Sequence, residues 1–166
     1  MITIKNILVA TDFGAPSEAA LEYGRQIARL SGATLHVLHV VPDAASQVLT
    51  PVGMVPDLGG LQMDLEDDAR HRLEQAINEN DRDLKSVIAV ISSTAPARAI
   101  LAYAESKQID LIVLGTHGRS GLAHLLMGSV AEHVVRLAPC SVLTVREKQR
   151  QFVRPDALEL TGAMSS

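Results

Sequence analysis

Short runs of Val, Ile, Leu and Ala recur along the chain and alternate with longer stretches in which apolar and polar residues are mixed. Five such runs occur, at Ile4–Ala10, Ala33–Val40, Val87–Ile91, Asp110–Leu114 and Ser141–Val145. Most are continuously apolar rather than alternating, which is typical of parallel strands that are buried on both faces. The pattern therefore predicts five buried parallel strands.

Between these runs, apolar residues recur every three or four positions, with charged residues on the opposite side. This spacing predicts helices over Pro16–Leu30, Leu61–Asn80, Ala95–Lys107 and Ser129–Leu137. Pro16 suits a first helical turn, and Gly32 marks the end of the first helix. The alternation of strands and helices predicts one α/β domain, a doubly wound five-stranded parallel sheet with helices on both faces and right-handed crossovers.

Two segments fall outside this alternation. The connection Pro42–Gly60 is long and rich in Pro, Gly and Val, and connections of that length are often functional or disordered. The C-terminal extension, residues 147–166, has little apolar periodicity and several basic residues near its start. We expect the extension to be solvated or frayed, with a role in regulation or assembly as the alternative.

The composition narrows the classes of partner. The 166 residues include no Trp, two Phe and two Tyr, and the formal net charge is −4. This balance argues against nucleic acid, whose sites need stacking rings and basic patches. No apolar run approaches the roughly 20 residues of a membrane span, and the N-terminus does not resemble a signal peptide. With a single cysteine and hence no internal disulfide, we expect a cytoplasmic protein that does not insert into membranes.

The segment from Gly115 to Ser129 carries most of the functional information. It is rich in glycine, follows the apolar run Leu111–Leu114 and opens onto a helical pattern. Glycines let backbone N–H groups approach an anion closely, and a helix N-terminus favours negative charge. We therefore expect this segment to bind phosphate.

Asp12 follows the first predicted strand, as Gly115 follows the fourth. In a doubly wound sheet, ligands bind beyond the carboxyl ends of the strands, at the point where the strand order reverses. If the two strands are neighbours, a carboxylate that can accept from a ribose hydroxyl faces a phosphate loop, which suits a nucleotide. Asp12 is equally consistent with a turn or a helix cap before Pro16, and Ser129 with Glu132 forms a capping box.

Other kinds of site find less support. The loop matches neither the Walker motif nor the dinucleotide glycine motif and contains no lysine. His117 and Arg119 lie within it and either contact phosphate or stay exposed. The spacing of the histidines and the cysteine does not suit a transition metal. We expect His36 and His39 to be strand-end or surface groups, and Cys140 to be a buried structural thiol.

With these residues in hand, the chain resembles the ATP-binding branch of the universal stress protein family. The family signature, Gly-x-x-Gly, nine residues and then Gly-Ser, is matched by Gly115, Gly118, Gly128 and Ser129. Three more segments match family strands, at 6–13, Leu38–Val41 and Pro139–Val145. The resemblance covers about residues 3–146 and implies the strand order 3-2-1-4-5. We therefore divide the chain into a nucleotide-binding domain, 1–146, and the extension, 147–166.

The resemblance also implies roles by position. Asp12 would hold the ribose, Ala10 and Thr11 would line the floor, and the Val40 backbone would contact the adenine edge. The ribose and phosphates would be flanked by Leu114, Gly115, Gly118 and Arg119. The distal phosphates would be bound by Gly128, Ser129 and Val130. Magnesium would bridge the phosphates of ATP rather than sit among protein ligands.

The last strand, Ser141–Val145, would lie at a sheet edge in this strand order. It is apolar and contains neither proline nor charge, so we expect a second subunit to cover its unpaired backbone groups. The resemblance implies a homodimer in which two copies of this strand pair antiparallel about a two-fold axis. The alternative is that the extension folds back over this edge and keeps the chain monomeric.

These expectations favour an ATP-binding regulatory protein of the stress response, in which nucleotide occupancy controls conformation or partner choice. Hydrolysis needs groups that position water and neutralise the γ-phosphate, and the loop offers only His117 and Arg119 for this. At most slow ATP hydrolysis is therefore expected. The alternatives are an ATPase or a phosphoryl or adenylyl transferase at the same site, and a nucleotide-free dimeric interaction module.

The chain departs from the family pattern after the third strand, where Thr94-Ala95-Pro96 replaces Gly-x-Pro. That turn must avoid the backbone conformation that glycine would permit.

Overall fold

A computed structural model describes residues 3–47, 57–77, 81–116 and 128–146 of the chain. The strands are β1 (Asn6–Ala10), β2 (Thr34–Val41), β3 (Ser86–Ser92), β4 (Leu111–Gly115) and β5 (Ser141–Val145). The helices are α1 (Ala15–Ser31), α2 (Ala44–Gln47), α3 (Leu58–Ala76), α4 (Pro96–Ser106) and α5 (Ser129–Leu137). None of these described helices is long and apolar enough to cross a membrane.

The strands form one sheet in the order β3-β2-β1-β4-β5, and every pairing is parallel. In the central strand, Leu8 lies beside His36 of β2 and Ile112 of β4. This confirms the predicted five-stranded doubly wound sheet and its strand order. The order reverses between β1 and β4, so the carboxyl ends of these two strands flank the position where such sheets bind ligands.

Successive residues of the strands enter two different cores, one on each face of the sheet. Ile7 and Val9 share one core with Leu73 of α3, and α1 packs on the same face. Leu8 belongs to the other core together with Ile100 of α4. Because helices cover both faces, neighbouring strand positions are both apolar, which explains the uninterrupted runs in the sequence.

The predicted connection between β2 and α3 contains more helix than expected. The short helix α2 lies within it, and α3 begins at Leu58 rather than Leu61. The sequence was misleading here because Gly59 and Gly60 disfavour a helix. The side chain of Asp57 offsets this by accepting a hydrogen bond from the N–H of Gly60 at 2.9 Å, which caps the first turn.

The ion pairs of Asp81 connect α1 to the segment before β3. Its side chain is 1% exposed and accepts hydrogen bonds from Arg25 Nε at 2.9 Å and Arg29 Nη2 at 3.0 Å. A carboxylate at this depth is stable only when it is paired, so the two guanidinium groups fix this segment against α1.

Candidate functional site

A cavity of about 270 Å³ opens at the carboxyl ends of β1, β2 and β4. Nine of the eleven predicted site residues line it: Ala10, Thr11, Asp12, Val40, Leu114, Gly115, Gly128, Ser129 and Val130. The other two, Gly118 and Arg119, lie outside the described residues, as does His117. The structure therefore brings the predicted residues of three separate strands to one cavity.

The turn between β1 and α1 forms one wall of the cavity and is held by a chain of hydrogen bonds. The N–H of Phe13 donates to Thr11 Oγ1 at 2.9 Å, and Thr11 Oγ1 lies 3.0 Å from Ser17 Oγ. Ser17 Oγ in turn donates to the carbonyl of Gly14 at 2.8 Å. Since Ser17 uses its only proton on Gly14, the Thr11 hydroxyl is the donor between the two hydroxyls. The wall is thus ordered by its own groups.

Asp12 takes part in the same turn. Its Oδ1 accepts a hydrogen bond from the N–H of Gly14 at 3.0 Å, which is the turn role that the sequence left open. No side chain caps α1, whose N-cap residue is Gly14. A carboxylate can accept about four hydrogen bonds, so this turn is compatible with a ligand at the half-buried Asp12 side chain.

A second wall is formed where β4 ends and α5 begins. The N–H of Thr116 donates to the carbonyl of Val145 at 2.9 Å, and the N–H of Gly128 donates to the carbonyl of Thr116 at 2.7 Å. The second bond joins the two ends of the connection 117–127. The start of α5 is therefore held beside the end of β4, independently of that connection.

The predicted capping box at the start of α5 is wrong. Gly128, not Ser129, is the N-cap residue, with extended φ and ψ of −69° and 153°, and its carbonyl accepts from the N–H of Glu132 at 2.9 Å. Ser129 is already the first helical residue, so its hydroxyl is not in the capping position, and no side chain caps α5. The first backbone N–H groups of α5, beside a cavity that Ser129 and Val130 line, suit an anionic ligand.

Gly115 lines the cavity and is also needed for packing. A Cβ at this position would lie 2.7 Å from the carbonyl carbon and 2.8 Å from the carbonyl oxygen of Pro16. These are backbone atoms that cannot rotate away. The sequence suggested that this glycine lets the backbone approach a phosphate; the structure shows that it lets α1 approach β4.

The third side of the cavity is apolar. It is lined by Leu38 and Val40 of β2 and by Pro96 and Ile100 of α4. Ala95, the N-cap residue of α4, has φ of −127°, and the φ of Thr94 is not positive either. The turn before Pro96 therefore avoids the conformation that only glycine adopts readily, as expected. A cavity with an apolar side and two polar walls can hold a flat ring at one end and charged groups at the other.

The prediction for His36 is wrong, whereas His39 lies near the carboxyl end of β2, as expected. His36 is buried because α4 covers this part of β2, and its Nδ1 lies 3.0 Å from the hydroxyl of Tyr103. Burial lowers the pKa of His36, with a further contribution from the charge of Lys107. His39 is half-buried and lines the cavity, and its Nδ1 lies 2.7 Å from the carbonyl oxygen of Thr11. Because a carbonyl only accepts, this Nδ1 carries a proton.

Cys140 was predicted to be a buried thiol, and the structure shows it half-buried. Burial raises the pKa of its thiol. Within the described part of the chain, no group of three or more His, Cys, Asp or Glu residues is arranged to hold a metal ion.

A model of the universal stress protein family matches residues 3–146. The chain belongs to the universal stress protein family. Universal stress protein YxiE of Bacillus subtilis is 31% identical over 144 residues, which cover 84% of this chain and 97% of YxiE. Universal stress protein MJ0577 of Methanocaldococcus jannaschii is 26% identical over 158 residues, covering 89% of this chain and 98% of MJ0577.

Solved structures agree with this assignment. The match to the solved structure of MJ0577 covers 90% of this chain and 100% of the MJ0577 chain, with a TM-score of 0.76. A universal stress protein solved in complex with cAMP covers 89% of this chain and 100% of its own, with a TM-score of 0.60 at 23% identity, and thus shares the fold. In this member of the universal stress protein family, three signature residues, Gly115, Gly128 and Ser129, line one cavity.

Proposed function

We propose that this protein binds ATP with Mg²⁺ in the cavity between β1, β2 and β4, and that nucleotide occupancy regulates its conformation or its choice of partner. The observation that carries the proposal is the pairing of the two polar walls. A carboxylate that suits ribose hydroxyls lies on one wall, and a helix N-terminus without a capping side chain lies on the other. The apolar side, formed by β2 and α4, suits the base.

Each part of the nucleotide has a candidate contact. Asp12 would accept from the ribose, with Ala10 and Thr11 beneath it, and the backbone of Val40 would contact the adenine edge. Leu114 and Gly115 would flank the ribose and phosphates, as would Gly118 and Arg119 in the connection. The distal phosphates would lie against Gly128, Ser129 and Val130. Mg²⁺ would neutralise the phosphates while keeping most of its water ligands.

Isothermal titration calorimetry with millimolar nucleotide tests this proposal. We expect binding of ATP in the presence of Mg²⁺, with GTP bound more weakly because its ring edge differs at the Val40 backbone. AMP serves as a control for the distal phosphates, and we expect it to bind more weakly than ATP. Equal heats for ATP and GTP, or none for either, would contradict the proposal.

We propose a regulatory protein rather than an efficient enzyme because the phosphate loop contains no lysine. The measurement is phosphate release from ATP under saturating nucleotide. We expect release well below ordinary enzyme rates, which are on the order of 10 per second. Release at such a rate that is lost in His117→Ala would instead support the ATPase alternative.

We also propose a homodimer through β5, which is an edge strand of the sheet. The carbonyl of Val145 accepts a hydrogen bond from the N–H of Thr116, which directly follows β4. In the alternating pattern of a parallel strand, the backbone groups of Thr144 therefore point to the open edge. Thr144→Pro should therefore weaken dimers without removing a bond to β4, and Thr144→Ala is its control. A wild-type mass near 17.8 kDa by light scattering would rule out the dimer.

A further inference from the structure

Phe13 has an unusual backbone conformation beside the candidate site. It follows Asp12 directly, and its φ of 61° lies in the left-handed region, where bulky side chains are rare. Such conformations persist only where surrounding contacts maintain them, and they concentrate at ligand sites and switches. The contacts that maintain Phe13 therefore bear on how Asp12 and Gly14 are placed.

Two groups from distant parts of the chain contact the Phe13 ring. The guanidinium carbon of Arg72, on α3, lies over the ring at 3.9 Å from its centroid. The imidazole of His39 lies 4.4 Å from the ring, centroid to centroid, and its Nδ1 donates to the Thr11 carbonyl at 2.7 Å. The ring thus connects α3 to two residues that line the cavity, His39 and Thr11.

We propose that Arg72 is a positioning residue for the nucleotide site and couples that site to α3. Arg72 holds the Phe13 ring, the ring stabilises the left-handed turn, and the turn presents the Asp12 carboxylate to the ligand. Arg72 does not line the cavity, so it acts through Phe13 rather than by contact with nucleotide. This inference rests on the proposed nucleotide binding. It adds a route by which nucleotide occupancy affects α3, a helix on the surface of the protein.

Thermodynamic linkage makes the coupling reciprocal. If the contact between Arg72 and Phe13 favours the conformation that binds nucleotide, then bound nucleotide must favour that contact by the same factor. Nucleotide binding should therefore slow amide hydrogen exchange in the second half of α3, around Ala69–Ala76. A residue that only stabilised the fold would raise protection with and without nucleotide alike.

The test combines calorimetry with hydrogen exchange on the whole chain. Arg72→Met keeps an apolar stem and removes the cation, Arg72→Lys restores a cation, and Arg70→Met removes a neighbouring exposed charge from the same helix. We expect Arg72→Met to weaken ATP binding about two- to fivefold, the range of a cation–π contact. Arg72→Lys should recover most of this loss. Arg70→Met should bind like wild type, which excludes a general charge effect on the anionic ligand.

Hydrogen exchange on the wild type separates the possible outcomes, and Arg72→Met adds a comparison. We expect ATP to slow exchange over Ala69–Ala76 in the wild type, and this difference to shrink in Arg72→Met. If ATP binds the wild type but leaves exchange in α3 unchanged, the coupling is wrong and the proposed function stands. If the wild type shows no ATP binding at all, both are wrong.

Discussion

The β1–α1 turn and the start of α5 both line the cavity, but their backbone groups are bonded differently. In the turn, the side chains of Thr11, Asp12 and Ser17 bond to neighbouring backbone or hydroxyl groups. Neither α1 nor α5 has a capping side chain, but Ser129, Val130 and Ala131 of the first turn of α5 line the cavity, whereas α1 contributes Ser17. Unsatisfied helix N–H groups are stabilised by an anion. The first wall is thus preformed, and the second is the one that gains most from a ligand.

The glycines at the end of β4 and at the start of α5 also differ from each other. At Gly115 the backbone of Pro16 occupies the space that a side chain would need. Gly128 has φ of −69°, which any residue can adopt, so its backbone conformation does not require glycine. Substitution should therefore affect folding at the first position, whereas at the start of α5 it should affect binding.

The largest effect is expected for Gly115→Ala. The added Cβ forces the start of α1 away from β4, and overpacking of this kind costs about 1–3 kcal/mol of unfolding free energy. Urea unfolding followed by circular dichroism measures it. Gly59→Ala is the control, because its Cβ would meet only the Asp57 side chain, at 3.5 Å. An unchanged unfolding midpoint for Gly115→Ala would mean that α1 and β4 are not tightly fitted.

The next effect concerns the backbone N–H of Ser129. Proline is accepted at a first helical position, and the ψ of Gly128, 153°, suits the residue before a proline. Ser129→Pro should therefore fold normally but lose one N–H that faces the ligand. Removing a hydrogen bond to a charged group should raise the dissociation constant for ATP about tenfold or more.

Ser129→Ala is the matched control, because it removes the hydroxyl and keeps the N–H. Calorimetry on both variants distinguishes backbone from side-chain binding. If Ser129→Pro bound ATP like the wild type, the start of α5 would not be the phosphate site. If Ser129→Ala lost as much affinity as Ser129→Pro, the hydroxyl rather than the backbone would be the important donor.

Local signals in the sequence were sufficient for the strands and the parallel sheet, whereas the strand order and the places of Ala10, Thr11 and Val40 at the cavity were implied by the family resemblance. Continuous apolar runs follow from burial on both faces, and the residues at strand ends share one edge of the sheet. The contacts of His39 with Thr11 and Phe13 could not be predicted, since they join residues from different elements. The same holds for the fit of Gly115 against Pro16.

The start of α5 shows a different limit of sequence reasoning. Ser is a better N-cap residue than Gly by intrinsic preference, so Ser129 and Glu132 suggested a capping box. The bond from Gly128 to the Thr116 carbonyl instead places Gly128 at the N-cap. Tertiary geometry thus overrode a local preference, and it did so where the proposed ligand needs the helix uncapped.

A smaller effect is expected at Asp12, which belongs to the preformed wall. Asp12→Asn keeps an oxygen that can accept from the Gly14 N–H and so preserves the turn, whereas Asp12→Ala removes it. Both should weaken ATP binding about three- to tenfold, the loss of roughly one hydrogen bond. Only the alanine variant should also lower stability in urea. Wild-type affinity in Asp12→Asn would reduce Asp12 to its role in the turn.

The smallest effect should come from the protonation of His36, a buried residue of β2 that does not line the cavity. Burial, with the charge of Lys107 on α4, lowers the pKa of His36 below its usual value of 6.5. The unfolded chain therefore binds a proton more readily than the folded protein does. The stability due to neutral His36 is fully present above about pH 6.5 and is lost progressively as the pH falls towards the lowered pKa.

Urea unfolding between about pH 5 and 7.5, on either side of the usual histidine pKa, should show this loss in the wild type and a smaller one in His36→Gln, which keeps a polar partner for Tyr103. His71→Gln is the control, because the His71 side chain is 77% exposed on α3 and has no contact with the buried pair. Equal pH slopes for the wild type and His36→Gln would show that carboxylates elsewhere cause the acid sensitivity.

Since His36 does not line the cavity, the ratio of ATP affinities between wild type and His36→Gln should stay constant over this range. A ratio that changed with pH would mean that the buried pair of His36 and Tyr103 is coupled to the cavity through β2. His36 would then affect ligand binding as well as folding.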